Sequence, residues 1–268
     1  MVNSSAGQLL PFITDPSERA EALLQSELRR VIQSLYGPPI RHLPGLDVGR
    51  SYWGTTEDFR YGGDLVDVFQ YGNGTTSLAV VDIAGHGIRA ARHAGLAKYA
   101  LRAYASLGFT ARASILALNR LFMENIEFES EYEFFATAFF AIIDERRHAF
   151  EYVSAGHEAA CLLTSTGAHM LGATAPIVGV VDDDAAFASR MIELRHGDVI
   201  AAVTDGFTEA RNEAHAFLGA DALADVIGRN RTRAAEVQAE SVTRHAYEYA
   251  GARLTDDVAS LVVKVDLG

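Results

Sequence analysis

Apolar and polar positions in this chain switch repeatedly between a period of two and a period near 3.6, dividing it into short strands and helices. After a loose tail over 1–14, Asp15-Pro16-Ser17-Glu18 reads as a helix start: a capping residue, then proline where its missing N–H costs nothing. Leu24, Leu28, Val31 and Leu35 follow on one stripe, with Arg29, Arg30 and Gln33 off it, and Gly37-Pro38-Pro39 ends the segment. The pattern therefore predicts a helix or linker over 15–40. Its stripe suits packing on its own domain, and it also suits a short dimerising or signal-transmitting seam.

Beyond a turn at Pro44-Gly45 the alternation becomes β-like. A partly alternating strand is expected over 46–53. Strands over 65–71 and 78–83 read as a hairpin through Gly72-Asn73-Gly74. Helices are expected over 88–107 and 114–126. Strands over 136–143, 149–154 and 159–164 look like three antiparallel neighbours joined by tight turns. Two more strands follow over 191–194 and 199–203, then helices near 220–228 and 232–250, and a closing strand over 258–265. Strands joined mainly by turns, with helices in pairs between them, favour α+β layers over a parallel doubly wound sheet. The run Asp182-Asp183-Asp184 falls in a loop-like stretch and reads as a solvated acidic turn.

Composition narrows the choices. The chain has 268 residues, 49% of them hydrophobic, enough for a sizeable core. Its formal net charge of -12 argues against a nucleic-acid or anionic-membrane binder, either of which needs a basic patch. No basic segment followed by an apolar one marks a secretory leader, and no apolar run approaches the ~18 residues of a membrane span. The single cysteine, Cys161, excludes an internal disulfide framework; it fits a reducing, cytoplasmic setting, and its apolar strand reads as that of a buried inert thiol.

Candidate chemistry comes from aspartates at element boundaries. Asp64 follows Gly62-Gly63; Asp82 ends an apolar run and leads through Ile83, Ala84, Gly85, His86 and Gly87 into a helix; Asp205 ends another run beside Gly206; Asp256 and Asp257 open the last strand. Taken singly, each can be a helix cap or an Asp-Gly turn. Their shared placement is the better clue. Carboxylates from separate segments, with glycines where backbone must come close, suit hard divalent cations such as Mg²⁺ and Mn²⁺. A pair of such ions can clamp a phosphoryl group and activate water. Asp82 suits the bridging position. His86, between two glycines, fits proton transfer to a leaving oxygen as well as it fits a plain surface histidine. His157, in the turn after Ser154, reads as a structural hydrogen-bonding residue.

Together and in order, these segments resemble the metal-dependent protein phosphatases of the PPM (2C-type) family, in its bacterial SpoIIE/RsbU-like branch. Gly62-Gly63-Asp64-Leu65-Val66-Asp67 is similar to the family's Gly-Gly-Asp-x-x-Asp motif, and Asp82 to Gly87 to its Asp-x-x-Gly-x-Gly motif. Phe135 to Phe140, Tyr152 to His157, Thr204 to Asn212 and Asp256-Asp257 resemble its central strand, Tyr-x-x-Ala-Gly-His stretch, Thr-Asp-Gly block and terminal pair. There are departures. Val258-Ala259-Ser260 follows the terminal pair in place of x-Thr, and Tyr61 stands where a small apolar residue is usual. A cyclase reading of Gly62-Gly63-Asp64 fails because Leu65-Val66 follows instead of Glu-Phe.

The resemblance implies an α-β-β-α sandwich with two mainly antiparallel sheets over 41–268, holding two Mn²⁺ or Mg²⁺ ions. It implies hydrolysis of protein phosphoserine or phosphothreonine by a metal-activated water. Asp64, Asp82 as bridge, the Ile83 backbone carbonyl, Asp205 and Asp256, with Asp257 as the alternative, are the implied ligands. The implied partner is a phosphorylated protein such as a STAS-type anti-anti-sigma factor in stress-response partner switching. The altered terminal motif keeps a second reading open, a PPM-fold module that binds and sequesters a regulator without turnover.

Overall fold

A computed structural model describes residues 43–54, 63–72, 74–85, 87–128, 135–157 and 159–266. The chain divides into two units, Met1–Pro38 and Pro39–Gly268, and every described residue belongs to the second. The helix expected over 15–40, with Tyr61, Gly62, Asn73 and His86, lies outside the described residues.

Among the described residues, ten strands form two five-stranded antiparallel sheets. The first sheet runs β1 (Leu46–Trp53), β10 (Val258–Val265), β9 (Val199–Val203), β6 (Ala159–Thr164), β7 (Gly167–Met170). The second runs β2 (Asp64–Tyr71), β3 (Thr75–Ile83), β4 (Ala136–Asp144), β5 (Ala149–Ala155), β8 (Arg190–Glu193). Alternate side chains explain the stacking. On β2, Val66 and Val68 face a core between the sheets with Leu78, Val80, Phe139, Tyr152, Leu162 and Leu261. Leu65 faces the other way, onto helices α1 (Gly87–Ser106) and α2 (Ala111–Phe128).

The alanine-rich stripe of α1, Ala90, Ala94, Ala97, Leu101 and Ala105, keeps it close to that sheet. A short α3 (Asp205–Thr208), α4 (Asp221–Arg229) and α5 (Ala235–Tyr249) cover the other sheet. Ala235, Ala239, Val242 and Ala246 repeat every three or four residues along α5 and form its buried stripe. α5 lacks a cap of its own, and the Asp47 carboxylate of β1 serves instead, accepting the Ala235 N–H at 3.0 Å. The result is the expected α+β sandwich of four layers, α-β-β-α. Among the described residues, no helix is long and apolar enough to cross a membrane.

One expectation is corrected. β5 pairs with β4 and β8, but β6 leaves for the other sheet and pairs with β9 and β7. Both faces of β6 are apolar: Leu162 enters the core between the sheets, while Cys161 and Leu163 face the helices. A strand buried on both faces carries no alternation to reveal which sheet it joins. Cys161 is a free, buried thiol whose pKa burial pushes up to about 12. Asp182, Asp183 and Asp184 are exposed; Asp183 caps a single 3₁₀ turn and Asp184 pairs with Arg120.

Candidate metal centre

The sandwich brings the strand boundaries that carry aspartates to one end. β2 begins there with Asp64 and β3 finishes there, so that Asp64 and Asp82 stand directly opposite in register. On the facing sheet, β9 ends into Thr204 and Asp205, and β10 begins after Asp256 and Asp257. Two glycines let the backbone crowd in. A Cβ on Gly63 would lie 2.2 Å from the Ile83 carbonyl oxygen, and one on Gly206 would lie 2.0 Å from that of Asp257.

Burial and mutual repulsion dominate the electrostatics. Asp64 is held well above the ordinary carboxylate range, first by burial and then by the charge of Asp82, with Asp257 and Asp205 adding to it. Burial, then Asp205 and Asp256, push Asp82 up to about 7, while a hydrogen bond from Asp64 works in the opposite direction. Carboxylates so arranged hold on to protons or attract a cation, and their oxygens are the donors that hard divalent ions prefer. The donor set thus fits such ions chemically. Among the described residues, however, no group of three or more His, Cys, Asp or Glu side chains is gathered closely enough to hold an ion as it stands. Asp64 and Asp82 are brought together, and Asp205, Asp256 and Asp257 act on them through their charge.

Two participants were not singled out from the sequence. Thr204, fully buried, donates its hydroxyl to Asp64 at 2.7 Å and accepts the Ala259 N–H at 3.0 Å, so it ties β2 to the β9–β10 pair across the sandwich. Tyr52, at the end of β1, donates its phenol to Asp257. A threonine between an apolar strand and Asp-Gly was the available signal for the first; nothing in the spacing marks the second. His157 is buried, hydrogen-bonded to Thr137 at 3.2 Å and packed near Phe139, and burial lowers its pKa to about 4.

The sequence model for Stage II sporulation protein E matches residues 72–266. The chain belongs to the SpoIIE family. Within the PPM phosphatases, this is the SpoIIE/RsbU-like branch. The chain is 25% identical over 236 residues to the phosphoserine phosphatase RsbU of Bacillus subtilis, a stretch covering 87% of this chain and 68% of RsbU. It is 26% identical over 199 residues to protein IcfG of Synechocystis, covering 65% of this chain but 31% of that protein. Among solved structures, the SiaA PP2C domain of Pseudomonas aeruginosa superposes with a TM-score of 0.72 at 20% identity, covering 93% of this chain and 98% of that one. The catalytic domain of the serine/threonine phosphatase PstP, solved with two manganese ions, shares the fold at a TM-score of 0.59 and 16% identity, covering 82% of this chain and 98% of that one.

Proposed function

We propose that this chain hydrolyses phosphoserine or phosphothreonine on a protein substrate. The observation that carries the reading is the pair Asp64–Asp82, opposed in register, Asp64 buried and Asp82 half-buried, both raised in pKa by desolvation and by the carboxylates around them. A cation relieves that repulsion. RsbU supports the activity as a phosphoserine phosphatase, and PstP supports the choice of ion.

On this reading Asp64, Asp82, Asp205 and Asp256, with the Ile83 backbone carbonyl, would hold two Mn²⁺ or Mg²⁺ ions, with Asp82 as the central ligand. Asp256 is preferred to Asp257 because the family's terminal ligand is the first of the pair, and Asp256 acts by its charge on Asp82. Such ions, when bound, clamp phosphoryl oxygens and lower the pKa of water. The protein's part is to hold ligands from two sheets in one arrangement. Thr204 fixes Asp64, and the Asp257 N–H bonds to Asp256 at 2.7 Å and fixes that carboxylate. The proposed substrate is a phosphorylated STAS-type anti-anti-sigma factor, in partner-switching signalling.

The test is Mn²⁺-dependent phosphate release from a phosphoserine protein, with loss to background in Asp82→Ala and Asp205→Ala. Full activity in either variant overturns the mechanism. Phosphosite mapping of proteins captured by the Asp205→Ala chain identifies the substrate. A second reading has one observation in its favour, the absence of three gathered ligand side chains among the described residues. It makes the chain a binding module that sequesters a regulator, and tight partner binding without turnover at saturating Mn²⁺ selects it.

A further inference from the structure

Asp67 lies on the face of β2 opposite Asp64, turned toward α1. It is buried, and α1 presents two cations to it from successive turns. Arg102 grips it as a fork, Nε to Oδ2 and the terminal nitrogen to Oδ1, both at 2.7 Å. Lys98, 1% exposed, stands 3.6 Å from Oδ1. The guanidinium of Arg102 also lies 4.7 Å from the centre of the Phe69 ring, two residues further along the same strand face. Arg50 of β1 feels the same carboxylate. A buried carboxylate held this way has one geometry, because any slip leaves an ammonium or a carboxylate without its partner in a dry site.

What this fixes follows from the chain's path. Among the described residues, β2 is the outermost strand of its sheet and pairs with β3 alone. Asp64 sits at its first residue, about 10 Å from Asp67 at the rise of an extended strand. β3 ends with Asp82 and Ile83, and the chain enters α1 at Gly87. The ion pair therefore closes a ring: Asp64, Asp67, Arg102 and Lys98, back along α1 to Gly87, Asp82, and across the register to Asp64. One helix braces both strands that carry the central carboxylates.

We infer that Asp67, clamped by Arg102 and Lys98, is a positioning residue that sets the separation of Asp64 and Asp82 and so the affinity of the site for divalent cations; this rests on the metal reading above. Side chains that orient ligands from outside the coordination sphere govern metal affinity by about tenfold or more.

The test uses the full chain with Arg102→Met, which removes the fork from the more exposed partner, and Arg102→Lys, which keeps the charge without it. Free Mn²⁺ is counted by its solution EPR signal, without substrate, and melting is followed separately in chelator. The Mn²⁺ dissociation constant is expected to rise about tenfold in Arg102→Met and by an intermediate factor in Arg102→Lys. The Mn²⁺ concentration for half-maximal phosphatase activity should move with it, and kcat at saturating Mn²⁺ should fall by less. An unchanged dissociation constant in a folded Arg102→Met or Arg102→Lys chain overturns the positioning role and leaves the metal reading standing. A wild-type chain that binds no Mn²⁺ overturns both.

Discussion

Asp64 and Asp67 stand three residues apart on one strand, with 6% and 5% of their surface exposed. Asp64 looks into the sandwich at Asp82, with Asp205 and Asp257 contributing their charge, and its proton affinity is high. Asp67 looks at Arg102 and Lys98. Burial is therefore not what separates the ion-paired Asp67 from Asp64, a ligand under the proposed function. The sign of the neighbours is. On the outer face the protein supplies the counter-charge, so the ion pair can hold the fold together. On the inner face it withholds the counter-charge, which leaves an anionic locus that a cation completes.

The largest expected effect tests the outer face. Asp67→Ala removes the buried carboxylate that Lys98 and Arg102 share and should destabilise the chain by about 3–5 kcal/mol, read from denaturant unfolding in chelator. A loss under ~1 kcal/mol would mean that the clamp is exposed in solution and the contrast with Asp64 is false.

The inner face should behave with the opposite sign. Asp82→Asn removes the repulsion and should stabilise the metal-free chain by ~2 kcal/mol at pH 7, while abolishing stabilisation by Mn²⁺. The pH profile follows from the same cause. The Asp82 pKa rises from 3.8 to about 7 on folding, so the folded chain binds that proton more tightly than the unfolded one. Its contribution is fully present below about pH 4 and is lost as pH rises to about 7. Wild type minus Asp82→Asn should therefore become less favourable across that window, and Mn²⁺ affinity should rise across it as protons are displaced.

The smallest effect sharpens the comparison. Thr204→Val removes both the hydroxyl donor to Asp64 and the acceptor of the Ala259 N–H, and should destabilise the metal-free chain by ~1.5 kcal/mol, two neutral hydrogen bonds at the lower end of their usual worth. A loss near ~3 kcal/mol would show that Asp64 is ionised without metal, and the two faces would then differ less than their surroundings suggest.

Most elements were legible because short apolar runs end at glycine, proline or aspartate. The strands over 159–164, 199–203 and 258–265 begin and end where the pattern places them. Sheet membership was not legible, since β6 is apolar on both faces. β7 escaped because its four residues, with His169 among them, show no alternation, and α3 because four residues make a single turn. The aspartates at strand ends were legible as a set from their shared placement at element boundaries, and the separate role of each was legible only through the family resemblance. The contacts that sort them were not. Thr204 reaches Asp64 across 140 residues of sequence, and Arg102 reaches Asp67 across 35. Hydrophobic period reports which face a side chain occupies; it carries nothing about what waits there.

β10 follows every other described strand in the sequence yet lies between β1 and β9, and among the described residues β1 has no other neighbour in its sheet. During synthesis the first strand of this sandwich waits for the last one. Asp64 likewise waits for Thr204, and Asp82 for Asp256, so a partly translated chain carries half of each pair and the complete centre in no form. Contacts this distant in sequence slow folding. On the proposed function they also make activity all-or-none, since a chain clipped ahead of Asp256 and β10 lacks a ligand of the centre.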